Sequence, residues 1–500
     1  MHTDRFTPLD AATLLRWMQH DLPNKQLFGI DRELFFMPKP DDPFRMERYG
    51  KVLETPLGVA AGPHTQLAQN ILSAWLCGAR YIELKTVQVL DELNVAKPCI
   101  DMADEGYNCE WSQELKLDQS FEEYLKAFVL LYVLRDMLNL PVEAEPGKGP
   151  GFIFNMSAGY NLEGIKSPAV QRFLDRMENA EEDVKRIKAG LAPLYPAIEK
   201  MPIPARLSDN LTVSTMHGCP PDEVESIGRY FITERKYNTA IKLNPTLLGP
   251  ERLRDILNTQ LGYDVCVPDE AFGHDLKYND GVAIIRNLAA AAETAGVAFG
   301  LKLTNTLETA NEKQNLPRSE GMVYMSGRSL HPISINLAER LQQEFDGKLD
   351  ITFSAGVDTF NVADTLACGL RPITMSSDIL KPGGYGRLHQ YLDTLRAEMR
   401  KAGAHTIAEW EKSRSPIAGN PGFANLVSYA AAVLGKRSRY HKERFPYVSV
   451  KTERPLPRFD CAAAPCMSGC PAEQDIPRYL DAVARGDFEL AWRVITATNR

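Results

Sequence analysis

Three cysteines close together near the end of the chain could hold a metal cluster. Cys461, Cys466 and Cys470 lie within ten residues, and Pro471 directly follows the last of them. A C-x3-C-P ending is typical of the thiolate ligands of iron–sulfur clusters, whereas structural zinc sites usually pair two C-x2-C motifs. We therefore predict 4Fe-4S cluster ligands, with a zinc site or simple thiols as alternatives. Because no cysteine follows Cys470 in the 500 residues, we expect the cluster to be absent or incomplete in this chain.

Two lysines within apolar segments indicate a second kind of chemistry. Lys85 lies in ELKTV and Lys242 lies in IKLNP. A buried ammonium group is costly without an anion, and a lysine beside a reduced flavin stabilises its negative N1/O2 side. Ser/Gly segments at 354–357 and 376–377 could bind a phosphate through backbone N–H groups. Each residue alone also fits an exposed position or a turn, but their order along the chain favours an FMN site.

Eight short apolar segments would position these residues. They are five to eight residues long and end in small or polar residues, as buried parallel strands do. Helical patterns separate several of them, so we predict an α/β fold, a (β/α)8 TIM barrel with its ligand at the carboxyl ends of the strands. A doubly wound sheet with a second domain is the alternative. The segments are Leu57–Ala61, Tyr81–Val87, Phe152–Ser157, Leu211–Met216, Ala240–Asn244, Phe299–Thr304, Ile351–Ala355 and Pro372–Ile379.

Two insertions and a C-terminal region extend the predicted barrel domain, which we assign to residues 1–434. Segments 88–150 and 158–210 follow the second and third predicted strands, and insertions at such places usually build lids or partner surfaces. Segment 435–460 is basic, contains proline and lacks periodicity, so we predict a linker. Residues 461–500 are predicted to be the incomplete start of a helical iron–sulfur domain.

Composition and charge restrict the class of protein. Hydrophobic residues make up 44% of the chain and charged residues 24%, which is typical of a globular protein. The net charge of −8 gives no reason to expect nucleic-acid binding. The polar N-terminus does not resemble a signal peptide, and the apolar stretch Ala127–Leu134 is too short to span a membrane. With nine cysteines and no secretory signal, we expect a cytoplasmic protein.

The strand-end motifs together resemble a known family. TPLGVAAG, ELKTV, VSTMHGCPP, IKLNP, LTNT, SGRSLHP, SAGV and TMSSDI follow the order found in the FMN barrels of the dihydroorotate/dihydropyrimidine dehydrogenase family, over roughly residues 50–390. The cysteine run is similar to the start of the iron–sulfur domain of the small glutamate synthase subunit. The order of barrel first and cluster domain second most resembles selenate reductase-like iron–sulfur subunits.

The resemblance implies a role for each matching position. The segment after the first strand would line the flavin ring, the lysines would contact the flavin, and the asparagines would face flavin or substrate. The Ser/Gly groups after the last strands would hold the phosphate. The residues implied to bind the cofactor are Ala61, Gly62, Lys85, Thr86, Asn155, Lys242, Asn305, Thr306, Ser326, Gly327, Gly356, Val357, Ser376 and Ser377.

Cys219 is the implied catalytic residue. In the pyrimidine-reducing relatives, a cysteine on the loop after the fourth strand protonates the substrate carbon while the flavin supplies hydride. HGCPPDEV matches that loop, and a thiol can donate a proton at neutral pH. The alternatives are a buried, inert thiol or a role for His217. Two departures from the family pattern are Ser-Ala-Gly-Val at 354–357 in place of Gly-Gly-Ile, and Arg458 in place of the first cluster cysteine.

The resemblance also implies an activity and partners. We predict an oxidoreductase in which NAD(P)H, FAD and iron–sulfur clusters in the complete protein exchange electrons with the barrel FMN. The FMN would reduce a small unsaturated substrate derived from a pyrimidine or purine, at a CH-CH or related bond. A downstream FAD/NAD(P)H module or subunit would be the partner, and a homodimer is an open alternative. The rival hypotheses are a non-catalytic electron-transfer subunit and an aldolase-type barrel that has lost its flavin.

Overall fold

The structure is a computed structural model of the 500-residue chain. It describes residues 6–89, 99–102, 104–109, 113–214, 217–313, 316–381, 383–415, 419–444, 466, 470, 472 and 474–498.

Eight parallel strands close into a barrel, which confirms the predicted fold class. Each strand pairs with its neighbours in chain order, and β8 pairs with β1 to close the cylinder. The strands are nearly all buried, because helices cover them outside and side chains fill the interior. They are β1 Leu57–Val59, β2 Tyr81–Glu83, β3 Ile153–Ala158, β4 Asn210–Val213, β5 Asn238–Leu243, β6 Phe299–Leu303, β7 Ile351–Phe353 and β8 Ile373–Met375.

Helices surround the barrel and fill the two predicted insertions. The longest, Leu117–Met137, lies in the first insertion and buries most of its surface, with Phe128 packed against Phe152 and Phe154 at the base of β3. The α-helices are Ala11–Asp21, Ala68–Leu76, Leu117–Met137, Leu162–Ile165, Pro168–Glu178, Glu181–Leu191, Pro221–Thr233, Pro250–Arg254, Asp269–His274, Tyr278–Ala295, Leu330–Glu344, Val362–Ala367, Arg387–Lys401, Ile407–Arg414, Pro421–Ala432, Ile476–Ala484 and Phe488–Thr498.

A second, antiparallel sheet lies beside the mouth of the barrel, and we call it the roof sheet. Its strands, in spatial order, are Leu307–Ala310, Met322–Gly327, Glu105–Asn108 and Ile100–Met102. Two of them come from the first insertion and two from the segment after β6. None of these four strands was among the eight segments predicted from the sequence, so the sheet is an addition to the prediction. Two further strand pairs, Gln26–Leu27 with Ile30–Asp31 and Met46–Arg48 with Lys51–Leu53, lie outside the barrel.

A buried charged triad holds the opposite end of the barrel. Glu54, just before β1, accepts hydrogen bonds from Arg80 Nε at 2.6 Å and from Arg135 Nη1 at 3.0 Å. All three side chains are at most 2% exposed. Arg80 also stacks on Trp75, and burial lowers its pKa to about 10, against the opposing effect of Glu54. The triad therefore joins the first two strands to the long helix of the first insertion.

The C-terminal region contains two short helices, in agreement with the helical character predicted for it. A turn that contains Gly486 separates the helices Ile476–Ala484 and Phe488–Thr498. The φ of Gly486 is +76°, in the region that glycine favours. Across the described residues, no helix combines the length and the apolar character needed to cross a membrane.

Candidate functional site

A cavity opens at the carboxyl ends of the barrel strands and gathers most of the predicted cofactor-binding residues. The roof sheet closes one side of it with Ile100, Met102, Asn108 and Tyr324. The predicted residues that line it are Ala61, Gly62, Lys85, Thr86, Lys242, Asn305, Thr306, Ser326, Gly356, Val357, Ser376 and Ser377. The barrel topology explains this convergence, because parallel strands place the loops that follow them at one end of the cylinder.

Two predicted residues lie behind the cavity wall. Asn155 is fully buried in β3, where its Nδ2 donates to Thr212 Oγ1 at 2.8 Å. Its Oδ1 is buried and has no hydrogen-bond partner in the described structure. Gly327 packs directly behind Gly356, which does line the cavity. The two are so close that a Cβ on Gly356 would lie 2.2 Å from the Gly327 carbonyl oxygen. Gly356 also has a φ of +54°, so both the close approach and the backbone require glycine there.

Lys85 and Lys242 give the cavity a positive character. Burial lowers the pKa of Lys85 to about 7; Glu114 opposes this, and the charge of Lys242 lowers the pKa further. Burial lowers the pKa of Lys242 to about 8, and the nearby Lys302 adds to this effect. Both pKa values are low mainly because burial disfavours the charged form of the ammonium group. An anion bound between them would restore their charge, so the cavity is suited to an anionic ligand.

A third lysine, Lys302, is already neutralised inside the barrel and was missed by the sequence analysis. Its Nζ forms a buried ion pair with Glu83 and donates to Thr374 Oγ1 at 2.6 Å. Glu83 also accepts the Ala61 backbone N–H at 3.2 Å, which fixes the loop after β1. Lys302 lies in the predicted strand FGLKLT, but the sequence could not show that its partner is on a strand more than 200 residues away.

The loops after β7 and β8 offer unused hydrogen-bond donors. The backbone N–H groups of Gly356, Val357, Ser376 and Ser377 have no acceptor among the residues that the structure describes. Ser377 Oγ donates to Ser326 Oγ at 3.0 Å, so the last loop and the roof sheet meet there. Adjacent backbone N–H groups left without acceptors are the usual means of binding a phosphate. These atoms therefore fit the phosphate of an FMN, which is the cofactor that the sequence predicted.

The loop after β4 places His217, and not Cys219, at the cavity. Cys219 is half-buried against the hydrophobic core and is not among the described residues that line the cavity. Burial raises the pKa of its thiol to about 11, helped by Glu223 and Asp222, which makes it a weaker acid. The helix Pro221–Thr233 begins directly after this loop, with Pro221 at its first position. The catalytic role of Cys219 stays a prediction.

His217 is held by a buried carboxylate. Asp275 lies 3.1 Å from His217 Nδ1 and accepts the Thr246 hydroxyl at 2.6 Å. Burial raises the pKa of Asp275, but the hydrogen bonds and charge of His217 and the Thr246 bond outweigh it and keep the pKa below its usual value. Asn244 Nδ2 lies 3.3 Å from the same ring nitrogen and links it to Asn305. From the sequence, His217 was only an alternative to Cys219, since nothing in the sequence connects it to Asp275, 58 residues further along the chain.

His64 is a further cavity residue that the sequence analysis did not assign. It follows Gly62, whose Cα packs on the imidazole so closely that a Cβ there would lie 2.6 Å from the ring. Both ring nitrogens are buried without a hydrogen-bond partner in the described part of the chain. Burial lowers the pKa of His64 to about 4, so the ring is neutral at pH 7. The Ala60 backbone opposes this shift, and a neutral imidazole at the cavity can bind a polar group of a ligand.

The three predicted cluster cysteines are only partly described. Cys461 lies outside the described residues. Cys466 is exposed and Cys470 is half-buried, just before the helix Ile476–Ala484. Their role as cluster ligands therefore rests on the sequence.

Comparison with known proteins places both parts of the chain in families. The model described as "Oxidoreductase YgfK, N-terminal TIM-barrel domain" matches residues 28–417. The model of dihydropyrimidine dehydrogenase domain II, 4Fe-4S cluster, matches residues 449–500. The chain is therefore a barrel followed by a 4Fe-4S domain region.

Two curated relatives match nearly the whole chain. They are YgfK of Escherichia coli K12 and of Escherichia coli O157:H7, which carry a provisional assignment as oxidoreductases. Each is 40% identical over 495 residues, which is 95% of this chain and 45% of the relative. The chain therefore spans about half the length of the curated relatives that it matches.

Solved structures of DHODH from Eimeria tenella are also similar to this chain. The ligand-free form has a TM-score of 0.47 and 17% identity, over 80% of this chain and 97% of that one. The complex with ferulenol has a TM-score of 0.45 and 16% identity, over 81% and 95%.

Proposed function

Since this chain belongs to the YgfK oxidoreductase family, we propose that its barrel binds FMN and exchanges electrons with the 4Fe-4S domain region that follows it. The reaction that we propose is the reduction of a small unsaturated ring compound derived from a pyrimidine or purine. In the complete protein, an FAD/NAD(P)H module would be the electron source, and we place the protein in the cytoplasm. The observation that carries the proposal is that two buried lysines with lowered pKa values lie in the same cavity as a set of unused backbone donors.

Each part of the cavity has a distinct task in this proposal. Bound FMN would supply hydride transfer. The N–H groups of 356–357 and 376–377 would hold the phosphate. Lys85 and Lys242 would stabilise negative charge on the ring, while the Lys302–Glu83 pair fixes the loop of Ala61 beneath it. The roof sheet would exclude water from the site, which strengthens these electrostatic interactions.

The loop of residues 217–219 would supply the proton for the substrate. Cys219 is the candidate that the family resemblance implies, and His217 is the candidate that lines the cavity. The Asp275 carboxylate, 3.1 Å from His217 Nδ1, would hold the imidazole in place at the cavity.

Binding of FMN and of riboflavin to the chain tests the cofactor proposal. We expect yellow protein that releases one equivalent of FMN on denaturation. The flavin-free protein should bind FMN about 10²-fold more tightly than riboflavin, because the phosphate adds two or more charge-assisted hydrogen bonds. Isothermal titration calorimetry with FMN and with riboflavin measures the ratio of the two affinities. Equal affinities would contradict the phosphate assignment, and no binding of either flavin would favour a barrel without flavin chemistry.

The proton donor is tested by pre-steady-state kinetics of two variants. If Cys219 is the donor, Cys219→Ala is expected to slow reoxidation of the flavin by a pyrimidine or purine substrate about 10²-fold, since general acids typically contribute this much or more. Flavin reduction by the electron source should stay normal. If only His217→Asn shows the defect, His217 is the donor and the Cys219 role is wrong. A flavin that exchanges electrons with clusters but is oxidised by none of the ring compounds would indicate a relay subunit.

A further inference from the structure

A cluster of imidazole and carboxylate groups lies at the rim of the cavity. His217 comes from the loop after β4, His274 ends the helix Asp269–His274, and Glu308 lies on the first strand of the roof sheet. Their donor atoms all lie within 4.8 Å of one another. His274 Nε2 is 2.9 Å from Glu308 Oε2, and His217 Nδ1 is 3.9 Å from the same oxygen. Three separate segments thus converge on one small volume.

These distances are close to those of a metal coordination sphere. Zinc-type ions bind imidazole nitrogen and carboxylate oxygen at about 2.0–2.2 Å, so tetrahedral ligand atoms lie about 3.4 Å apart. The distances of 2.9 Å and 3.9 Å lie on either side of that value. Two imidazoles and a carboxylate are also a ligand set that first-row transition metals favour over magnesium or calcium. We infer that His217, His274 and Glu308 form a binding site for a divalent transition metal such as Zn²⁺.

Asp275 strengthens this assignment because it offers a fourth ligand, a carboxylate oxygen, at the same position. One of its oxygens is 3.1 Å from His217 Nδ1 and 3.9 Å from His274 Nε2, so it is within reach of the same metal position. The carboxylate is only 1% exposed and is fixed by the Thr246 hydroxyl and the Gly218 backbone N–H. Because Asp275 meets the same nitrogens that face Glu308, a metal there would replace the Asp275–His217 hydrogen bond and gain an oxygen as its fourth ligand, the number that a tetrahedral site takes.

The position of the site gives it a role next to the cavity. His217 is also a cavity-lining residue, so the metal would lie at the edge of the chamber, on the side of the roof sheet. A substrate oxygen could complete its coordination, and the metal would polarise that group as a Lewis acid. Such a metal would occupy His217 and leave Cys219 as the proton donor of the loop. The metal assignment itself does not depend on FMN binding.

Cobalt titration of the full chain tests the site without any measurement of activity. Metal-free protein is titrated with Co²⁺, and the visible d–d bands of cobalt are followed together with bound metal after dialysis. We expect one equivalent of Co²⁺ to bind through nitrogen and oxygen ligands. The spectrum of this cobalt should lack the near-ultraviolet sulfur-to-cobalt charge-transfer band that cysteine sites produce. Zn²⁺ should displace the cobalt. His274→Ala and Glu308→Gln should each weaken binding at least tenfold, in line with the loss of one ligand.

His20→Ala is the matched control, because the exposed His20 lies 3.0 Å from the buried carboxylate of Asp21 and this pair has no third ligand among the residues that the structure describes. It should bind cobalt like the unmodified chain. Circular dichroism and thermal melting identify any variant that fails to fold, and Glu308→Gln retains the size of the side chain. The inference is overturned if the unmodified chain binds no cobalt outside cysteine sites, or if both variants bind as tightly as the control. Failure of FMN to bind would contradict the proposed function alone.

Discussion

Replacing Lys85 with methionine is expected to lower the two-electron reduction potential of the bound FMN by about 60 mV. Lys85 is 5% exposed at the cavity, and its ammonium group would stabilise the anionic reduced flavin. Loss of one preorganised charge in a water-excluded site costs about 3 kcal/mol, or 10²- to 10³-fold in rate. For a two-electron couple, that energy corresponds to about 60 mV. Methionine retains most of the volume, so the change isolates the charge.

Equilibrium photoreduction with a reference dye measures this potential. Lys200→Met, at an exposed position outside the barrel mouth, is the matched control and should leave the potential unchanged. The pH dependence of FMN binding gives an independent readout. Because Lys85 has a pKa of about 7 and Lys242 of about 8 in the free protein, both become neutral as the pH rises. Affinity for reduced FMN, whose ring is anionic, should therefore fall between pH 7 and pH 9, and less steeply in Lys85→Met. An unchanged potential and pH profile would disprove the role.

Replacing Glu54 with glutamine is expected to destabilise the barrel by about 3–5 kcal/mol. The substitution preserves shape but leaves the buried guanidinium groups of Arg80 and Arg135 without a negative charge. Removing one partner of a buried ion pair costs far more folding free energy than removing a surface pair, since the charge that remains is buried away from water. The effect should also appear as weaker attachment of the long helix Leu117–Met137, which carries Arg135.

Urea and thermal unfolding followed by tryptophan fluorescence measure the loss, and Trp75 beside Arg80 provides a local signal. Glu47→Gln is the matched control, because Glu47 pairs with Lys148 at 3.0 Å with both side chains well exposed. Surface pairs contribute about 0–1 kcal/mol, so this control should unfold almost normally. Equal midpoints for the two variants would show that the triad contributes little to stability.

The barrel and its cavity could be predicted because their signals are local. Each strand is a short apolar segment, and the polar residues that follow it are adjacent in sequence, so their convergence follows from topology alone. Lys85, Lys242 and the serines of the last loop were found in this way. The boundaries were less exact, since the strand β1 ends at Val59 while the apolar segment continues to Ala61.

Long-range pairing is what the sequence could not show. The strands of the roof sheet are only three to six residues long where they pair across the mouth, and none of them was among the eight predicted segments. The Lys302–Glu83 pair and the His217–Asp275 pair depend on partners from separate segments, with no spacing rule to connect them. The thiol of Cys219 matches a family loop, yet its position against the core depends on how that loop turns.

The pairing of Glu105–Asn108 with Met322–Gly327 has a consequence for biosynthesis. A ribosome delivers the first of these strands long before its partner exists, and the seam between β1 and β8 also waits for residues 373–375. In a nascent chain that has emerged only to about the sixth strand, Lys85 and Lys242 would be exposed to water, because the roof sheet could not yet form. Capture of the cofactor would then follow translation of the barrel, because the loops after β7 and β8 that offer the backbone donors are synthesised last.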